Sequence, residues 1–151
     1  PNAPLQTWTP TRRSSRDFNF APELVGATPF WLAARFTEPE VMRLLVKHGA
    51  NPLVVHRAEY ADLSQARQTQ VTTALMAAGG MGGGTAWGRP DGGTWEPMML
   101  QAVKLAVDLG VDLNAANADG RTALDAATAF HHEAVVKFLV EKGARPGVKK
   151  N

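Results

Sequence analysis

Two stretches of the chain place apolar and polar residues in the same order. In each stretch a threonine opens a short apolar run, and a longer apolar run follows and ends at Gly-Ala. Gly49 follows Thr28 by 21 residues, and Gly143 follows Thr122 by the same number. In the longer runs the apolar residues recur at i, i+3 and i+4, which is the spacing of an amphipathic helix. Each stretch is therefore predicted to be a helix pair, whose second helix has as its apolar face Val41, Leu44 and Leu45, or Val135, Phe138 and Leu139.

A third copy of this pattern is interrupted. Residues 73–78 repeat the first run, residues 101–109 repeat the second, and Gly110 closes the copy 37 residues after Thr73. The two predicted helices are thus separated by about 16 more residues than a helix pair of the usual repeat length requires.

Side chains at the ends of these runs predict where the helices begin and end. Thr28, Thr73 and Thr122 each precede a predicted first helix, where a threonine oxygen accepts hydrogen bonds from free amides. Glycine follows each predicted second helix, where it supplies the left-handed backbone of a C-terminal cap. Paired alanines in the first helices allow close approach between neighbouring helices. The segment 113–120 is rich in turn formers and is predicted to be the tip of a β-hairpin finger.

These motifs resemble those of the ankyrin-repeat family. Residues 28–33, Thr-Pro-Phe-Trp-Leu-Ala, are similar to the family's Thr-Pro-Leu-His-x-Ala box, and residues 112–124 are similar to its finger and the opening of the next repeat. Leu44, Leu45, Gly49 and Ala50 match the family's helix-end signal. Bacterial ankyrin-repeat proteins with long insertions are also similar. The resemblance implies an all-α solenoid of three helix-turn-helix pairs with β-hairpin-like fingers and long loop insertions.

The chain also departs from the family pattern. Trp31, Met76 and Asp125 stand where the family usually has histidine, which puts the hydrogen-bond network of that histidine in doubt. A single domain spanning 1–151 is expected. Its predicted parts are an N-terminal extension (1–25), repeat 1 (26–52), a finger insertion (53–71), repeat 2 (72–114) with a Gly-rich insertion (79–96), repeat 3 (115–146) and a tail (147–151).

Composition and charge narrow the class of protein. The 16 basic and 14 acidic residues give a formal charge of +2, which does not predict a nucleic-acid partner. The sequence has no cysteine, so no disulfide or thiol nucleophile is available. A chain without cysteine fits the cytosol and an oxidising compartment equally. No apolar run is long enough to predict a membrane span. Because the chain begins at Pro1 without methionine, we expect it to be processed, truncated or incompletely represented.

Several residues are of types found in nucleotide, metal or catalytic sites, but they lack the spacing that such sites require. The Gly-rich insertion contains neither Gly-Lys-Ser/Thr nor a G-x-G-x-x-G register, so no nucleotide site is predicted. His131, His132 and Glu133 are adjacent, and adjacent residues of a helix point about 100° apart, which makes a shared metal ion difficult. No serine lies in a Gly-x-Ser-x-Gly elbow. We therefore expect no enzymatic activity, no cofactor and no metal.

The predicted function is a non-catalytic protein-protein interaction scaffold whose partner is another protein. Expected contact residues lie on the long finger, near the opening of repeat 3 and on the opposite edge, namely Arg57, Glu59, Tyr60, Arg121, Trp87, Arg89 and Trp95. Self-association through an exposed apolar face of repeat 1 is a further possibility. The alternative function is a structural or regulatory C-terminal region of a larger protein whose activity lies upstream of Pro1.

Overall fold

A computed structural model describes residues 1–7, 21–61, 65–82 and 95–148 of the chain. A short 3-10 turn (Pro22–Leu24) precedes the first helix pair, and the described residues contain six helices and two strands in the order α1, α2, β1, β2, α3, α4, α5, α6. Their bounds are α1 Pro29–Arg35, α2 Pro39–Lys47, β1 His56–Ala61, β2 Arg67–Thr72, α3 Ala74–Ala78, α4 Glu96–Asp108, α5 Ala123–Ala129 and α6 Glu133–Glu141.

The helices form three pairs that stack side by side. Within each pair the two helices contact each other, as α1 with α2, α3 with α4 and α5 with α6. Between pairs, α3 lies between α1 and α5, while α4 lies between α2 and α6. The first helices therefore form one layer and the second helices another, which is the architecture of a helix-turn-helix repeat solenoid.

The helix ends confirm the predicted caps. The threonine oxygens at the start of α1, α3 and α5 accept hydrogen bonds from backbone amides three residues later, as Thr28 does from the Trp31 amide at 3.3 Å. Gly49, Gly110 and Gly143 follow the second helices with φ of +83°, +82° and +88°. Only glycine adopts this backbone conformation without steric penalty, which explains why the same residue closes each pair.

Small residues fill the layer between the first helices. The paired alanines of α1, α3 and α5 are all buried, namely Ala33, Ala34, Ala77, Ala78, Ala126 and Ala127. Larger side chains at these positions would separate the helices, because protein interiors leave little spare volume. The stack is therefore held at close spacing by its smallest residues.

The prediction of an all-α fold is wrong in one respect. Strands β1 and β2 form a two-stranded antiparallel sheet, in which His56 pairs with Thr72 and Ala61 pairs with Arg67. The segment 56–72 is long enough for its backbone groups to bond to each other as a ladder, whereas a shorter finger has room only for a turn. The architecture is thus a helical solenoid that carries one small sheet.

The predicted apolar face of α2 is also corrected. Val41 is 43% exposed and Leu44 is 55% exposed, whereas Met42 is completely buried. Helix α2 contacts α1 and α4, and these contacts cover the side that carries Met42. The periodicity was sufficient to predict an amphipathic helix, but not which of two apolar sides has a neighbour.

Candidate protein-binding surface

The hairpin of β1 and β2, which we call the long finger, has one buried and one exposed side. His56 and Ala58 are buried, whereas Arg57 and Glu59 are exposed. Because successive side chains of a strand point to opposite faces, Arg57 and Glu59 lie side by side on the outer face. Tyr60 is half-buried near the end of the strand. The long finger therefore presents a cation, an anion and an aromatic ring within four consecutive residues.

The base of the long finger is anchored to the solenoid through His56. This side chain is 1% exposed, and its Nε2 donates a hydrogen bond to the backbone carbonyl of Glu23 over 2.9 Å. Its ring lies against the indole of Trp31 with 4.4 Å between centroids. Burial lowers the pKa of His56, and the hydrogen bond to the Glu23 backbone opposes that shift in part. The imidazole is thus packed between the strand and the first helix, where burial disfavours its charged form.

Trp31 also contacts the start of the Gly-rich insertion. A β-carbon at Gly82 would lie 2.7 Å from two carbon atoms of the indole ring, so only glycine fits there. Arg35, one turn after Trp31 on α1, donates from Nε to the Gly82 carbonyl over 2.9 Å. Trp31 therefore fixes the long finger on one side and the first residues of the insertion on another.

The shorter finger between α4 and α5 ends in a tight turn. The backbone amide of Asn117 donates to the backbone carbonyl of Arg121 over 2.9 Å. The side-chain oxygen of Asn117 accepts from the backbone amides of Asp119 and Arg121. Gly120 has a φ of +79°, which this turn requires. Arg121 is exposed at the end of the turn, directly before the cap of α5. The predicted turn is confirmed, although residues 113–121 form no strand.

Two family models match two separate parts of the chain. The model described as Ankyrin repeat matches residues 25–57, and the model described as Ankyrin repeats (many copies) matches residues 99–140. The chain is an ankyrin-repeat protein. A comparison with curated proteins finds no match. Ankyrin repeats are generally protein-protein interaction modules and are typically non-catalytic.

The three ankyrin pairs differ at the position where the family usually has histidine. Asp125 accepts hydrogen bonds through Oδ2 from the amides of Thr122 and Gly147 at 2.7 and 2.8 Å. Burial of this carboxyl opposes ionisation, but these hydrogen bonds, the Thr122 hydroxyl and nearby Arg121 outweigh it, so the pKa of Asp125 lies below its ordinary value. Asp125 and Thr122 thus form a capping box. Trp31 and Met76 are instead buried in the core.

The edge opposite the fingers contains a small cavity. It has a volume of about 250 Å³ and is lined by Arg35, Ala78, Trp95, Phe130 and His132, among others. Trp95 is half-buried directly before α4, and Phe130 is 56% exposed. The other two residues predicted on this edge, Trp87 and Arg89, lie outside the described residues.

Sequence reasoning missed the residues that hold the candidate surface in place. The sequence patterns assign no role to His56, Arg35 or Gly82. A detectable signal is the alternation in the segment 56–59, which places His56 on the same face as Ala58 and the charged Arg57 and Glu59 on the other. Within the described ranges, no group of three or more His, Asp or Glu residues is arranged to hold a metal ion. None of the helices there is both long and apolar enough to cross a bilayer.

Proposed function

We propose that this ankyrin protein is a non-catalytic scaffold that binds another protein through the outer face of its long finger. The proposed contact residues are Arg57 and Glu59 on that face, together with the half-buried Tyr60 near the end of the strand. The observation that carries the proposal is the anchoring of the finger, because His56 fixes its base to Trp31 and to the Glu23 backbone.

An anchored hairpin is well suited to binding. A loop that is already ordered loses little conformational entropy when a partner docks on it, so more of the contact energy appears as affinity. Arg57 and Glu59 are exposed with opposite charges, which favours a partner surface that carries the complementary pair. The half-buried ring of Tyr60 provides an aromatic anchor of the kind that is enriched at binding hot spots.

Two other regions belong to the proposal as secondary contacts. Arg121 lies on the finger side, at the exposed turn before α5. Trp95 lies on the opposite edge, and Trp87 and Arg89 are proposed to act with it there. The proposed boundaries stay as the sequence indicates: extension 1–25, repeats 26–52, 72–114 and 115–146, insertions 53–71 and 79–96, and tail 147–151.

Affinity capture from an extract of the source organism, read by mass spectrometry, tests this proposal. The baits are the unchanged chain, a finger variant with Arg57→Ser and Glu59→Ser, and a variant in which residues 83–94 are replaced by a short turn. A protein that is retained by the first and third baits and lost with the second supports the finger as the site. Loss with the third bait alone would move the site to the opposite edge.

A matched control separates surface loss from misfolding. Arg43→Ser with Glu40→Ser removes an exposed ion pair from α2, outside the finger, while changing the same two residue types. This control is expected to retain the partner. If it loses the partner as the finger variant does, the effect is not specific to the finger and the proposal is wrong.

The alternative function is a structural or regulatory C-terminal region of a larger protein. The exposed Val41 and Leu44 favour it, because an uncovered apolar face at one end of a repeat stack calls for a covering surface. Self-association through this face is the related proposal. Sedimentation of the chain over a range of concentrations tests it, since a monomer at all concentrations would contradict self-association.

A further inference from the structure

The side of α2 that points away from α4 carries Val41 and Leu44, and we call it the outer face of α2. Corresponding residues of the three pairs can be assigned because Gly49, Gly110 and Gly143 close the second helices. Counting back from these glycines, Val41 corresponds to Ala102 and Val135, and Leu44 corresponds to Leu105 and Phe138.

These corresponding residues are covered wherever another pair precedes them. Ala102 and Val135 are completely buried, and Leu105 and Phe138 are half-buried. The cover on Phe138 comes in part from the preceding helix, since Lys104 of α4 lies with its Nζ 5.6 Å from the ring centroid. The outer face of α2 thus corresponds to the surface that α6 turns towards α4, and none of the helices that the structure describes lies on it.

The first residues of the chain occupy the place of a preceding finger. Asn114 of the shorter finger accepts a hydrogen bond through Oδ1 from the amide of Arg145, at 2.8 Å. Asn2 accepts the same bond from the amide of Asn51, at 2.7 Å. Asn51 and Arg145 correspond, because each is the second residue after its capping glycine. Asn2 therefore binds the backbone that follows the first helix pair in the same way as Asn114 binds the backbone that follows the third pair.

Proline positions support this register independently. Pro52 and Pro146 each follow a capping glycine by three residues, and Leu113, directly before Asn114, holds that position after Gly110. If Asn2 corresponds to Asn114, Pro1 falls at the position of Pro52 and Pro146. Two backbone hydrogen bonds of 2.8 Å each, between Leu5 and the segment Gly26–Ala27, hold these first residues in place.

We infer that the outer face of α2 binds one further ankyrin helix pair, supplied by polypeptide on the amino-terminal side of Pro1. Residues 1–5 are the end of the finger that leads from that pair into the first repeat. The register requires a capping glycine three residues before Pro1, at the end of an amphipathic helix. This inference does not depend on which partner the long finger binds.

A second copy of the chain is the competing occupant. The far end of the stack also exposes an apolar residue, since Val140 of α6 is 55% exposed. If a second copy stacked there head to tail, its residues around Gly147 would have to occupy the position corresponding to Asn114. Asn2 already fills that position in the first copy, so the structure favours an upstream pair over a second copy.

Thiol labelling tests the inference, because the chain has no cysteine of its own. Val41→Cys, whose counterparts Ala102 and Val135 are completely buried, is introduced into the chain and into an extended version that carries a copy of residues 122–145 directly before Pro1. In this version the copied Gly143 stands three residues before Pro1, as the register requires. The labelling rate is expected to fall about tenfold or more in the extended version, because a covered thiol reacts only during local opening.

Lys47→Cys is the matched control. Lys47 and its counterparts Asp108 and Glu141 are all exposed, so a stacked pair leaves this position open. Its labelling rate is expected to be the same with and without the extension. A slower rate at both positions would indicate aggregation rather than stacking.

Several results would overturn the inference. Equal rates for Val41→Cys in both versions would mean that no helix pair packs on the outer face. Slow labelling in the unextended chain would mean that the chain covers this face itself. Dimers that Leu44→Glu dissociates would assign the face to a second copy. The coding sequence before Pro1 is the last test, since a different residue at the capping position would contradict the register.

Discussion

Replacing Gly82 with alanine tests the contact that joins the Gly-rich insertion to the solenoid. The backbone at Gly82 has a φ of +99°, which side-chain-bearing residues rarely adopt. An alanine β-carbon there would also lie 2.7 Å from the indole ring of Trp31, which is 1% exposed and has no room to move away. Gly82→Ala therefore imposes both backbone strain and overpacking.

Gly49→Ala is the control, because it imposes the backbone strain without the overpacking. Gly49 has a φ of +83°, and a β-carbon there would have no atom within 4 Å. Left-handed backbone costs about 1–2 kcal/mol for an L-residue, and overpacking a core costs about 1–3 kcal/mol. Gly82→Ala is thus expected to lower the free energy of unfolding by about 1–3 kcal/mol more than Gly49→Ala does.

Urea unfolding followed by circular dichroism measures both variants. Trp31→Phe, which removes the two ring atoms closest to Gly82, is combined with each alanine substitution. The double-mutant cycle is expected to show that Trp31→Phe relieves part of the Gly82→Ala penalty and none of the Gly49→Ala penalty. Equal losses for the two glycine variants, or perfect additivity with Trp31→Phe, would refute the assigned contact.

Three further predictions concern the stack itself. Burial holds the pKa of His56 below 6.5, so the unfolded chain binds a proton first as pH falls. The free energy of unfolding should therefore have its full value above about pH 6.5 and decline as the pH falls below that. His56→Gln should make the free energy of unfolding, measured by urea unfolding, less dependent on pH in this range. Thr122→Ala removes the cap of α5 and should cost about 0.5–2 kcal/mol, whereas Thr122→Ser should keep most of it in the same assay. Val103→Asp places a charge at a completely buried position of α4 and should lower the melting temperature more than Leu105→Asp, whose site is half-buried; equal effects would contradict the packing of α4.

The helix pairs could be predicted because their signals are local. A threonine that accepts from the amide three residues later and a glycine that takes up positive φ act within one turn of the chain. The spacing from Thr28 to Gly49 and from Thr122 to Gly143 therefore located both complete pairs. The middle pair was found for the same reason, although about 16 residues separate its helices beyond the usual length.

The candidate surface was only partly predictable, because it depends on contacts between distant residues. Arg57 and Glu59 were predicted as contact residues because they were expected to be exposed on the long finger. The contact of His56 with Trp31 joins residues 25 positions apart, and no local pattern reports it. The exposed side of α2 could not be predicted for the same reason, since amphipathic spacing marks an apolar face but does not say whether another helix covers it.

Hydrogen exchange of the complex with its captured partner, read by mass spectrometry, tests the central claim most directly. The account predicts that the partner slows exchange in residues 56–61 and 67–72 and at the turn before α5, while α2 and α6 are unchanged. Protection confined to the edge around Trp95, with none in the long finger, would contradict it.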